Sequence, residues 1–185
     1  MKNPLGLKIL FLKIKNQDPE AFGQFYDLYV TRIYRFIFFK VNSVSDAQDI
    51  TSEVFLKLWQ CIKDGKDIKN LNAFTYTIAR NSVIDFYRQN NKVEEQIQDE
   101  HTNIPDEEKD LLKKQIMDSE LSDVLKGLDH LKDEYKEVII LKYLDELSIS
   151  EIAEVLTRSK GAVRVLLYRA TKALKENISS PIETR

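Results

Sequence analysis

The sequence predicts an all-α protein: two small helical domains joined by an acidic linker. Three observations lead there. Only 5 Gly and 4 Pro occur among 185 residues, so long stretches lack helix breakers, and a hydrophobic content of 43% suffices for a compact core in either domain. Apolar residues recur at intervals of three and four in segment after segment, the period of a helix buried along one face. The charge is also unevenly divided, summing to +5 over residues 1–92, −6 over 93–119 and −1 over 120–185, within a total of −2. The expected division is a domain over 5–92, an acidic linker over 93–118 and a second domain over 119–178.

Each element has its own signal. Leu5 to Ile14 is apolar, but Lys8 and Lys13 interrupt it and no small-residue cleavage site follows, so a short amphipathic helix is expected in place of a signal peptide. Asp18-Pro19 starts the next helix, since Asp caps and Pro suits the first helical position. Its apolar stripe is Phe22, Phe25, Tyr26, Tyr29, Ile33 and Phe36. Ser45 and Gln48 stand at capping-box spacing and predict a helix from about Asp46 to Ile62, with Ala47, Ile50, Val54 and Leu58 on one face. The polar loop Lys63 to Asn70 has Gly65 near its centre, and the helix after it, Leu71 to Asn90, offers Phe74, Ile78, Ile84 and Phe86 for burial.

The linker, rich in Asp and Glu, lacks the apolar density to fold alone as far as Pro105. Beyond it, Leu121, Val124, Leu125 and Leu128 indicate one helix, and Tyr135, Val138, Ile139 and Leu141 another.

The most informative stretch is Ser148 to Leu174. Ser148 and Glu151 form a capping box opening a short helix with Ile152, Val155 and Leu156 as its buried stripe. Thr157-Arg158-Ser159 breaks that pattern, and Ser159 is placed to cap a second helix in which Val163, Leu167, Ala170 and Leu174 share a face. Every charged residue from Thr157 to Lys175 is basic: Arg158, Lys160, Arg164, Arg169, Lys172 and Lys175. Two capped helices around a tight turn, the second basic, have the build of a DNA-reading helix-turn-helix.

Asp46-Ala-Gln-Asp-Ile-Thr-Ser-Glu-Val-Phe-Leu-Lys-Leu-Trp59 and Ala73-Phe-Thr-Tyr-Thr-Ile-Ala-Arg-Asn-Ser-Val-Ile-Asp-Phe-Tyr-Arg88 resemble consecutive region 2 helices of bacterial RNA polymerase sigma factors of the extracytoplasmic-function (ECF) group. The Ser148 to Leu174 stretch is similar to that group's region 4. The resemblance implies a factor that binds core RNA polymerase and directs promoter-specific initiation. Asp46, Asp49, Ile50, Glu53 and Leu56 would meet the polymerase clamp; Asp49 and Glu53, four apart, share a helix face. Lys66, Lys69 and Asn70 of the loop, with Tyr76, Arg80, Asn81 and Arg88, would handle the minus-10 element, the loop capturing a flipped base; Tyr76 could stack on an unpaired base, with packing in the core an equal alternative. Arg158, Ser159, Lys160, Arg164, Tyr168, Arg169 and Lys172 would engage the minus-35 element, Lys160 and Arg164 reading base edges and Arg158, Arg169 and Lys172 holding phosphates. Val165-Leu166 departs from the family, where a Ser-Arg pair is common. The resemblance further implies core polymerase, promoter DNA and an anti-sigma factor as partners.

Catalysis is not expected. His101 and His130 have no ligand spacing, no glycine-rich phosphate loop exists, and Cys61, the single cysteine, has no nearby base. No cofactor, metal or small-molecule substrate is implied. One cysteine allows no internal disulfide and suits a reducing cytoplasm. The alternative functional reading is a sigma-like decoy that occupies an anti-sigma regulator; such a chain would be expected to lose its DNA-facing basic residues, and Arg80, Arg88, Lys160 and Arg164 are all present.

Overall fold

The structure, a computed structural model, describes residues 4–41, 43–94, 128 and 130–179. The segment 95–118, most of the expected linker, and the helix expected at Leu121, Val124 and Leu125 lie outside the described residues. Within the described residues every regular element is helical. The chain divides into two compact units, 1–98 and 99–185.

Local capping chemistry sets the ends of the first unit's helices. Helix α1 spans Pro4–Lys15 and α2 spans Pro19–Val41. Asp18 Oδ1 accepts from the backbone amides of Glu20 and Ala21 at 3.0 and 3.1 Å, satisfying donors that the first turn of α2 cannot pair internally. Helix α3 spans Val44–Lys63, starting earlier than expected, and its cap is Ser43. The Ser43 hydroxyl accepts from the Asp46 amide at 3.3 Å. The Ser45–Gln48 capping box is therefore corrected: Ser43 holds the extended backbone a cap requires (φ −131°, ψ 130°), which leaves Ser45 inside the first turn. Helix α4 spans Leu71–Glu94.

The core of this unit is built on α2, whose Phe25, Ile33, Phe36 and Ile37 are fully enclosed by α1, α3 and α4. Phe25 stacks on Tyr29 and meets Phe11 of α1 and Phe55 of α3 edge-on. Tyr26, expected in the stripe, is exposed and meets Phe55 edge-on, with ring centres 4.7 Å apart. Helix α4 presents Ala73, Thr75, Tyr76, Ala79, Ser82 and Val83 inward; the expected Ile84 is exposed, and Phe74, Ile78 and Phe86 are half-buried. Ala73, Ala79 and Ser82 let α4 approach α2 and α3 closely, and the Tyr76 ring fills the space against Phe36.

In the second unit, α5 (Asp133–Ile139) runs into a π-helical turn over Ile140–Leu144. Val138 and Ile139 at the end of α5 and Ile140 and Leu141 at the start of the wider turn are all buried, so the chain is enclosed on most sides there. Helix α6 spans Ile149–Val155 and α7 spans Lys160–Ser179; both α5 and α6 pack on α7. The Ser148–Glu151 box closes reciprocally: the Glu151 amide donates to Ser148 Oγ at 3.2 Å, and the Ser148 amide to Glu151 Oε2 at 2.8 Å. Ser159 Oγ accepts from the Ala162 amide at 3.1 Å and caps α7.

Between α6 and α7 the backbone turns through Thr157 at φ 53°, with the Arg158 amide donating to the Ala153 carbonyl at 2.9 Å. That bond and the Thr157-to-Glu154 bond make a Schellman turn, which glycine fills most readily. Gly65 occupies the matching position after α3, at φ 72°. A β-branched residue in the left-handed region is strained. Thr157→Gly is therefore expected to stabilise the second unit by about 1 kcal/mol, raising its melting temperature by roughly 4–8 °C. An unchanged or lower melting temperature by calorimetry would show that no strain resides there.

Candidate nucleic-acid and partner interface

Helix α3 buries Ala47, Ile50, Val54 and Leu58 and turns Asp49, Glu53 and Leu56 outward. Leu56 is 70% exposed, so one large apolar side chain stands in solvent on the same helix as the two carboxylates. Asp46 is half-buried at the start of the helix. Ile50 is corrected: its side chain points into the core and supports the ridge from beneath. Glu53 pairs with Lys57 at 2.7 Å, and Lys57 also donates to Ser82 Oγ on α4 at 3.2 Å. One solvent-exposed pair of this kind contributes little to stability, so a cation on a partner can replace Lys57 at small cost.

The loop from Asp64 to Asn70 is anchored by buried Ile68 and leaves Lys66 and Lys69 in solvent. Lys66 Nζ sits 4.8 Å above the centre of the Phe74 ring, a cation–π contact that holds the lysine beside the start of α4. Asn70 has a role that loop composition does not reveal: its Oδ1 accepts from the Ala73 amide at 3.1 Å and caps α4. Along α4, Asn81 and Arg88 are exposed, Arg80 is half-buried, and Arg88 lies 3.7 Å from Asp85. Tyr76 is corrected. With 0% of its surface exposed, and packed edge-on against Phe36 with ring centres 5.5 Å apart, it has no face on which a base could stack. Tyr87 is exposed, but its hydroxyl donates to the Lys40 carbonyl at 2.6 Å and ties α4 to the end of α2.

Sequence periodicity misses one feature of this surface. Phe74 and Ile78, expected in the core, instead wall an open groove of about 430 Å³ between α3 and α4, with Lys66, Asn81 and Cys61 along it. An apolar floor with cationic and amide groups at the rim can receive a flat, polar-edged ring.

In the second unit the expected residues of α7 share a surface. Lys160, Arg164, Tyr168, Arg169 and Lys172 are all exposed, while Val163, Leu167 and Ala170 are buried. Leu166 is 6% exposed and belongs to the inner face, so of the two residues that depart from the family only Val165 reaches the outer surface. Arg158 forms an ion pair with Glu134, fastening the turn to the start of α5 and orienting the guanidinium. Lys172 lies 4.0 Å from Glu176. Among the described residues no helix is long and apolar enough to cross a membrane, and no group of His, Cys, Asp and Glu is arranged to hold a metal ion.

Comparison with known proteins matches both units. Residues 25–93 fit the Sigma-70 region 2 family and residues 121–174 the Sigma-70 region 4 family. The chain is 30% identical to the ECF RNA polymerase sigma factor SigW of Bacillus subtilis, over 90% of this chain and 93% of that one. It is also 30% identical to the ECF RNA polymerase sigma factor BldN of Streptomyces coelicolor, over 85% of this chain but spanning only 60% of that protein's length. Among solved structures its fold is similar to that of the sigma factor RpoE in complex with the anti-sigma factor NepR from Bartonella quintana, with a TM-score of 0.64 and 23% identity, covering 89% of this chain and 99% of that one.

Proposed function

The chain belongs to the ECF family of RNA polymerase sigma factors, and on that basis we propose that it binds core RNA polymerase and directs it to particular promoters. The observation carrying this reading is that one chain holds two separate kinds of surface. An acidic and apolar ridge on α3 suits a basic protein partner, and a basic face on α7 suits DNA. A free-standing repressor would need the second surface only.

In this reading Asp49, Glu53 and Leu56, with Asp46 at the helix start, meet the polymerase clamp. Lys66, Lys69, Asn81, Arg80 and Arg88 engage the minus-10 element, the groove beside Phe74 and Ile78 receiving an unpaired base. Lys160 and Arg164 read base edges at the minus-35 element, while Ser159, Tyr168, Arg169, Lys172 and Arg158 position the helix on the backbone. The chain works in the cytoplasm, with no catalysis of its own, and an anti-sigma factor is its further partner, competing for region 2 and region 4 surfaces that polymerase and promoter would use.

Run-off transcription by core polymerase from a promoter library, with and without the chain, tests the proposal. Promoter-dependent transcripts are expected only in its presence. Binding to a regulator without any such transcript would favour the decoy reading. Within an active holoenzyme, Arg164→Ala is expected to cost about 1–3 kcal/mol of discrimination at one base pair. Lys172→Ala should instead weaken binding to all sequences alike and flatten its salt dependence. Competition binding against single-base variants distinguishes the two, and equal losses across all bases for Arg164→Ala would move that residue to the phosphate set.

A further inference from the structure

With Val163, Leu166, Leu167 and Ala170 facing inward, the opposite line of α7 runs through Gly161, Val165, Tyr168 and Lys172. Lys160 and Arg164 flank that line on one side and Arg169 on the other. The middle of the exposed surface is thus apolar over its first turns, with cations at its edges. Val165 is 50% exposed and Tyr168 73%.

Folding gains little from this strip. A β-branched residue is a weaker helix former than alanine, and an exposed one recovers little by burial. Gly161 is the second residue of α7, where a Cβ would meet nothing nearer than Ser159 Oγ at 3.9 Å and φ is not in the left-handed range, so its surface is open to close approach. Both residues stand on the surface that α7 offers to a partner.

The apolar group that base pairs display in the major groove is the thymine C5-methyl. We infer that Val165 is a specificity-determining residue that packs against a thymine methyl in the upstream promoter element, with Gly161 allowing the helix to approach the base edges closely. The inference rests on the DNA-reading role proposed for α7. Arg164, on the adjacent flank, would read a neighbouring base pair by hydrogen bonding, so one helix turn combines polar and apolar readout.

Replacing thymine by deoxyuridine removes that methyl and leaves every hydrogen-bonding group in place, which makes the test direct. Holoenzyme assembled from the full chain and core polymerase is used to select duplexes randomised in the upstream element, and each enriched thymine is then replaced by deoxyuridine in turn. Wild type is expected to lose about fourfold in affinity at one position, as for one methyl group left in water. Val165→Ala, which should melt like wild type because the side chain is half in solvent, is expected to bind the thymine and deoxyuridine duplexes at that position alike. Equal binding of both duplexes by wild type, unchanged discrimination by Val165→Ala, or the absence of any enriched thymine would each overturn the inference while leaving DNA reading by α7 intact. Failure to enrich any sequence would overturn the DNA-reading role itself.

Discussion

Tyr76→Ala is expected to destabilise the first unit by about 3–5 kcal/mol, the range for removing a fully enclosed aromatic ring from a core. Among the described residues Tyr76 is the largest side chain fully enclosed, and it packs against Phe36 at the crossing of α4 and α2. Its loss would leave a cavity that rigid helices cannot collapse around. Since whole-domain stabilities are only about 5–15 kcal/mol, this single change is expected to leave much of the first unit unfolded at physiological temperature. Urea denaturation of the full chain, followed by Trp59 fluorescence, should show an early transition in the variant. A folded variant with normal stability and a specific defect in promoter opening would instead return Tyr76 to the nucleic-acid surface, against its complete burial.

The paired reversal Asp49→Lys, Glu53→Lys is expected to cost about 2–5 kcal/mol of affinity for core polymerase, as when charged partners in an interface are set against like charges. Both side chains are exposed on α3, while Ile50 and Val54 beneath them maintain the helix packing. The fold should tolerate the change at a cost of about 1 kcal/mol, since it breaks the Glu53–Lys57 pair and lines up three cations one helical turn apart at positions 49, 53 and 57. Titration of labelled core polymerase with each protein measures the affinity, and thermal melting checks the fold. Retained affinity in a stably folded double variant would remove this ridge from the polymerase interface. The reversal should leave the intrinsic DNA contacts of α7 untouched.

Much of the candidate interface is legible in the sequence because its components are local. An exposed ridge such as Asp49–Glu53, or a run of cations from Arg158 to Lys175, follows from helical spacing alone. Asn70 is recognisable there as polar but not as a cap, since the same amide suits a base edge and a helix end. The groove beside Phe74 and Ile78 is hidden, because an aromatic and an aliphatic residue one turn apart carry the same signal whether they fill a core or line a cleft.

The starts of α2, α6 and α7 are written into the chain locally, through Asp18-Pro19, the Ser148–Glu151 box and Ser159, because capping is satisfied within four residues and needs no distant partner. The helical class and the basic character of α7 are equally local properties. Which of two plausible stripes α4 buries is settled only when the helices pack. Its large residues Phe74, Ile84 and Phe86 promise more apolar area, yet the inward face is built from Ala73, Tyr76, Ala79 and Ser82, one large ring filling the space against Phe36 while the small residues around it let the helices approach. The same competition puts Leu166 inside and Val165 outside on α7, a choice of helix rotation made by packing against α5 and α6 and invisible to periodicity when both residues are apolar.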